Sequence, residues 1–204
     1  MTGSTSEVGL KHLAIVLFDG VEELDAVGPW EVLAHWTQTY PADGWAVTTL
    51  SADGRPVTAA KGLVIAAHHS FAAAPAVDVL IHPGGRGTRA LSTDPGHLDW
   101  IRARRREAAL MTSVCTGALV YAAAGLLRER PATTYWDAIE ELRGIDPSIR
   151  IDADARWVDD GDVVTSAGVS AGIDLALHLV DRLAGTARAR QVRRGIQYDP
   201  EPPV

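Results

Sequence analysis

One stretch, residues 109–120, constrains the fold of this chain more than any other. It begins as a short apolar run, Leu110-Met111-Thr112-Ser113-Val114, of the kind that forms a buried strand. The small residues Thr116 and Gly117 follow, and then an Ala/Leu-rich segment, residues 118–127, with helical character. A strand that gives way to a helix so abruptly needs a sharp turn. Cys115, the only cysteine of the 204 residues, sits at that turn. A side chain at such an apex projects from the end of the sheet. The helix behind it offers free N–H groups and the positive end of its dipole, which favour a thiolate over a thiol. Cys115 is therefore a candidate nucleophile. Position alone leaves a second reading open, a small inert thiol in the core.

The same alternation recurs along the chain. Residues 12–18 and 77–82 are short apolar runs suited to buried parallel strands, and residues 45–51 alternate like a strand. Residues 56–59 and 63–67 suggest a hairpin around Lys61-Gly62. Residues 21–40 carry helical spacing, and Gly28-Pro29 marks either a turn or a helix that begins at Pro29. Helices are expected over residues 96–106, 135–142 and 171–184, with Thr186 as N-cap of a last one ending near Tyr198. Residues 149–151 and 156–159 are strand candidates, and Asp160-Gly161 turns the chain back into residues 162–166. Strands alternating with helices imply an α/β fold, a mostly parallel sheet covered on both faces. The length suits one domain and no shift in composition suggests two, so residues 1–204 are expected to form one unit with extended tails at 1–10 and 200–204.

Charge and composition exclude several roles. A formal net charge of -7 argues against nucleic acid or anionic membrane surfaces as partners. One cysteine excludes an intramolecular disulfide and a cysteine-based zinc site. No apolar segment is long enough to span a bilayer. The first residues are polar and lack an apolar leader core, so a cytoplasmic location is expected.

Ligands of parallel sheets sit beyond the carboxyl ends of the strands. Three segments fall there: Cys115, the acidic loop from Asp19 to Asp25, and Pro83-Gly84-Gly85. In the loop, Glu22 and Glu23 read as solvent-facing, whereas Asp25 lies between Leu24 and Ala26-Val27 and is the better candidate for burial. A buried carboxyl beside a thiol can carry a proton, though Asp25 could equally cap a helix. Gly84 and Gly85 let backbone N–H groups approach a ligand, or simply make a turn.

These residues carry a resemblance. Ile81-His82-Pro83-Gly84-Gly85 and Ser113-Val114-Cys115-Thr116-Gly117-Ala118-Leu119 resemble the ThiJ/PfpI superfamily. Leu24-Asp25-Ala26-Val27-Gly28-Pro29-Trp30-Glu31, Ala132-Thr133-Thr134-Tyr135-Trp136 and Thr165-Ser166-Ala167-Gly168-Val169-Ser170 narrow the match to its isonitrile hydratases and to the sensor domains of AraC-type regulators. The resemblance implies a flavodoxin-like, class I glutamine amidotransferase-like three-layer sandwich with the cysteine on a nucleophile elbow. It implies a lyase that hydrates an isonitrile to an N-substituted formamide. In that reading Cys115 attacks the isonitrile carbon, Asp25 supplies a proton or activates water, and Thr116 hydrogen-bonds beside the thiol. The backbone N–H groups of Gly85 and Thr116 form the anion-stabilising site, and Gly84, Gly85 and Tyr135 line the substrate pocket. No metal or organic cofactor is implied, the partner is a small-molecule substrate, and a homodimer is expected.

One departure is informative. The related segment often reads Ala-Thr-Thr-His-Trp, and here its fourth residue is Tyr135. Thr116 stands where protease-like members carry a histidine after the nucleophile, which weakens a peptidase reading. Two other functions stay in view: a glyoxalase or deglycase using the same thiol, and a non-catalytic ligand or redox sensor. A sensor would need a separate partner, since no helix-turn-helix module follows the domain up to Val204. His68-His69 and residues 102–106 read as surface polarity, and His82 as a packed or solvent-facing strand end.

Overall fold

The computed structural model describes residues 9–200; most of both expected tails lies outside them. In chain order the elements are β1 (Lys11–Val16), α1 (Glu23–Thr39), β2 (Trp45–Ser51), β3 (Val57–Thr58), β4 (Val64–Ile65), β5 (His69–Ser70) and β6 (Val79–His82). Then come α2 (Thr88–Leu91), α3 (Pro95–Glu107), β7 (Leu110–Val114), α4 (Gly117–Ala123), β8 (Pro131–Ala132), α5 (Ile139–Ile145) and β9 (Arg150–Ile151). The chain continues through β10 (Trp157–Asp159), β11 (Val163–Ser166), α6 (Ala171–Ala184) and α7 (Thr186–Gly195).

The main sheet has seven strands in the order β10-β11-β7-β6-β1-β2-β5. Every pairing is parallel except β10 with β11, the hairpin expected at Asp160-Gly161. The β3–β4 hairpin also forms, as a separate two-stranded piece. The central strands are apolar on both faces because helices cover both: Leu13, Ile15, Leu80, Ile81 and Met111 have no exposure. With α-helices on either side of a mostly parallel sheet, the fold is the three-layer α/β arrangement expected. Among the described residues, no helix is long and apolar enough to cross a membrane.

The helix boundaries differ from expectation where proline and glycine act. α1 begins at Glu23 and runs through Pro29 rather than starting there. Proline lacks the N–H that would bond the Asp25 carbonyl, yet the helix continues, locked against α6. Gly28 lets Ile173 approach, where a Cβ would meet its Cγ1 at 3.0 Å, and Gly172 lets Pro29 approach in return, at 3.2 Å. α4 stops at Ala123, short of Leu127, and Gly125 just beyond adopts a left-handed φ of 82°. Thr186 is the first helical residue of α7 rather than its cap, and that helix ends at Gly195.

Candidate active site

The chain leaves β1 toward β2 on one side and later returns to place β6 on the other. A crevice opens at such a reversal. Loops from four neighbouring strands meet there: β1 leads to Asp25, β6 to Gly84 and Gly85, β7 to Cys115, and β11 to Ala167-Gly168-Val169.

Cys115 occupies the bend between β7 and α4 with φ +56°, a left-handed conformation that L-residues avoid. Bonds on both sides of the residue hold it there. Its N–H donates to the carbonyls of Ser166 and Ala167, and its own carbonyl accepts from Thr134 Oγ1 at 2.8 Å. Gly117 permits the close approach of the next turn to β6, since a Cβ there would lie 2.1 Å from the His82 carbonyl oxygen. The sulfur-bearing residue is 5% exposed.

Asp25 is the third residue of α1, not its cap; Glu22 holds the cap position, and its side chain does not bond the helix N–H groups. The Asp25 side chain is fully buried, and its Oδ2 accepts from Gly84 N–H at 2.8 Å. Among the described residues its Oδ1 has no partner at hydrogen-bonding geometry, an unusual state for a buried carboxyl oxygen. The carboxyl and the Cys115 thiol are close enough that each alters the other's proton affinity. Burial, with the nearby Glu22 charge, raises Asp25 from 3.8 to about 7. Burial first, and then the Asp25 charge, push the Cys115 thiol up to about 12. The resting thiolate expected from the helix dipole is therefore not favoured. α4 is a short helix, and desolvation beside an acid outweighs its N-terminus. Both groups hold a proton more tightly than they would in water. The amides of Thr116 and Val169 face that sulfur and offset part of the burial, and Val169 N–H also faces Asp25.

The glycine turn serves the interior more than a ligand. Gly84 N–H is held by Asp25, and Gly85 N–H donates to Thr116 Oγ1 at 2.9 Å. Gly85 N–H is thus engaged within the protein, contrary to the anion-stabilising role expected of it. Thr116 Oγ1 also meets Thr88 Oγ1 at 3.1 Å, so its hydroxyl ties the bend to the β6 loop. Tyr135 packs its ring on Gly168, where a Cβ would lie 2.3 Å from Cδ2. Glu22 and Glu23 are not free in solvent. Both side chains are mostly covered and pair with Lys61. Among the described residues no group of three or more His, Cys, Asp or Glu is arranged to hold a metal ion.

Two participants carried little sequence signal. Val169 has φ +51°, an outlier for a β-branched residue, and its strained turn aims an amide at the acid–thiol pair. Thr88 braces Thr116 and the Gly85 carbonyl, the latter at 2.7 Å. Hydropathy cannot reveal either; only the quoted Thr165–Ser170 segment pointed toward the first.

Residues 11–182 match the model of the DJ-1/PfpI family. The isonitrile hydratase of Pseudomonas putida is 38% identical over 195 residues, 94% of this chain and 80% of that protein. The HTH-type transcriptional regulator CdhR of Pseudomonas aeruginosa is 33% identical over 154 residues, 75% of this chain but 45% of the regulator. The crystal structure of a ThiJ/PfpI family protein from Pseudomonas syringae superposes with a TM-score of 0.86 at 33% identity, covering 96% of this chain and 78% of that one. The match over residues 11–182, together with a relative 38% identical across 94% of the chain, shows that this protein belongs to the DJ-1/PfpI family.

Proposed function

We propose that this protein is an enzyme that adds water to an isonitrile, R–N≡C, to give the formamide R–NH–CHO. The observation that carries the reading is the pair itself: the Cys115 thiol faces a fully buried carboxyl, and burial raises the proton affinity of both. Such an acid can take a proton and give it back near neutrality. Steric access points the same way. Cys115 is 5% exposed, and the linear two-atom end of an isonitrile needs little room to reach it.

The steps follow from the residues. Asp25, as carboxylate, takes the Sγ proton while sulfur bonds to the terminal carbon. The electron pair left on that carbon takes the proton back from Asp25, giving a thioimidate, R–N=CH–S–Cys115. Water then adds to the same carbon and the nitrogen gains a proton. The C–S bond breaks, the formamide leaves, and sulfur recovers its proton through Asp25. The Thr116 and Val169 amides stabilise negative charge on sulfur at both ends of the cycle. Thr116 also holds the bend through its hydroxyl, and Gly84 and Gly85 shape the wall opposite, with Tyr135 behind. Every step uses protein groups and water. A homodimer in the cytoplasm completes the proposal.

Incubation with an alkyl isonitrile is expected to yield the matching formamide by mass spectrometry. Cys115→Ala should abolish turnover and Asp25→Asn should lower it at least ~100-fold. No formamide from a panel of alkyl and aryl isonitriles would remove the reading, and methylglyoxal consumption in the same assay would replace it with a glyoxalase. The regulator relatives favour a second reading, a ligand sensor. Saturable binding of an isonitrile or formamide without turnover by the intact protein would select it.

A further inference from the structure

His82, the last residue of β6, is fully buried with both ring nitrogens engaged. Nδ1 lies 2.8 Å from the Pro83 carbonyl oxygen, and Nε2 lies 3.0 Å from Nε2 of His97. A carbonyl can only accept, so Nδ1 of His82 carries a proton. Burial keeps the ring neutral, pushing it down to about 3, so its Nε2 is a bare lone pair. His97 then donates its own Nε2–H, and burial holds that ring down as well, to about 4. Both tautomers are fixed by this one chain of bonds.

The chain does not end at the Pro83 carbonyl. That oxygen and Gly84 N–H belong to one planar trans peptide and point in opposite directions. Gly84 N–H donates to Asp25 Oδ2 at 2.8 Å. Donors therefore run head to tail from His97 through His82 and the peptide to the carboxyl. We propose that His82 is a positioning residue: it fixes the Pro83–Gly84 peptide and polarises its N–H toward Asp25, while His97 sets the tautomer this requires.

Aligned hydrogen bonds strengthen one another, and a stronger donor favours the charged carboxylate. The relay thus opposes burial and the Glu22 charge, which favour the neutral acid. Asp94 faces His97, and Tyr121 packs edge-on to His82 with its own hydroxyl on the Thr112 carbonyl. Phe18 covers another side of His82, and Cys115 and Glu22 face Asp25. Among the described residues, His82 is the side chain bonded to the Pro83 carbonyl.

The catalytic consequence rests on Asp25 as proton carrier, but the relay itself is tested without substrate. The Asp25 carboxyl is titrated by 13C NMR, its signal assigned by loss in Asp25→Asn. His82→Leu is expected to raise the midpoint by roughly half a pH unit or more. His82→Asn, whose Nδ2 stands where Nδ1 stood, is expected to restore it. An unmoved midpoint in His82→Leu, or an equal shift in His82→Asn, would overturn the proposal in favour of simple packing. If His82→Leu does not fold, His97→Leu and His97→Gln carry the test. Only the first removes the outer donor, so only it should raise the midpoint; no difference between them would overturn the proposal. A shifted titration in a protein that hydrates no isonitrile would leave the relay standing and remove the functional reading alone.

Discussion

Cys115 holds a left-handed φ that costs roughly 1–2 kcal/mol, and the bonds from Thr134, Ser166 and Ala167 keep it there. The strain has a use. It lifts the thiol out of the line of β7 and sets it beside an acid carried by another element. Gly84 is the residue that allows this closeness. A Cβ added there would lie 2.5 Å from Thr116 N, 2.7 Å from Thr116 Oγ1 and 2.8 Å from Asp25 Oδ2. Two of these partners are themselves fixed, one by the strained bend and one by burial, so the methyl has nowhere to go. Gly84→Ala should separate acid from thiol. The expected result is a loss of isonitrile turnover of ~100-fold or more and a loss of about 2–4 kcal/mol in urea denaturation. An active, stable Gly84→Ala protein would show that the closeness is not needed.

Among the elements, α1 and α6 decide where the acid stands. α1 carries Asp25, and α6 packs on it through Gly28, Pro29, Gly172 and Ile173. Gly172 is pinched between the Pro29 ring and Val114 Cγ1, both 3.2 Å from an ideal Cβ. Neither neighbour is a flexible side-chain end. Gly172→Ala should therefore cost about 1–2 kcal/mol, overpacking outweighing the gain in helix propensity. Gly144, within α5, has open space around its Cβ position, so there Gly144→Ala should stabilise by about 0.5–1 kcal/mol. Thermal denaturation of the two variants, expected to move in opposite directions, checks the pair. The α1–α6 crossing was not legible in the sequence, because Gly28-Pro29 is locally a turn signal and only a partner helix keeps it helical. The parallel strands were legible, because residues buried on both faces form uninterrupted apolar runs. Cys115 and Asp25 were visible through junction and context. The balance of charge between them was not, since it depends on burial that no single segment encodes. His82 showed the same limit: a strand-end histidine reads as ordinary until His97, fifteen residues on, is seen against it.

For the whole molecule, three buried titratable groups in one region set the dependence of stability on pH below ~8, where Cys115 and Tyr121 keep their protons in both states. Asp25 rises from 3.8 to about 7 on folding, so the stability it contributes is full below 3.8 and is lost as pH rises through 7. His82 and His97 fall from 6.5 to about 3 and about 4, so theirs is full above 6.5 and is lost as pH falls toward those values. Between pH ~4.5 and ~5.5 the unfolded chain binds close to two protons on the histidines and the folded chain one on Asp25. The net difference is one proton, and stability should rise with pH by about 1.4 kcal/mol per unit. The carboxylates lowered by hydrogen bonds or ion pairs, such as Asp43 and Asp159, act below this window. Asp25→Asn removes the one opposing proton, so its slope should double, and its advantage over the parent protein should grow up to pH 7 and then level. Replacing both histidines should reverse the slope. Urea denaturation at pH 4.5, 5.5, 6.5 and 8 measures all three curves. Parallel curves for the parent and Asp25→Asn would mean that the carboxyl is charged in the folded protein throughout, and the proton exchange with Cys115 would lose its physical basis.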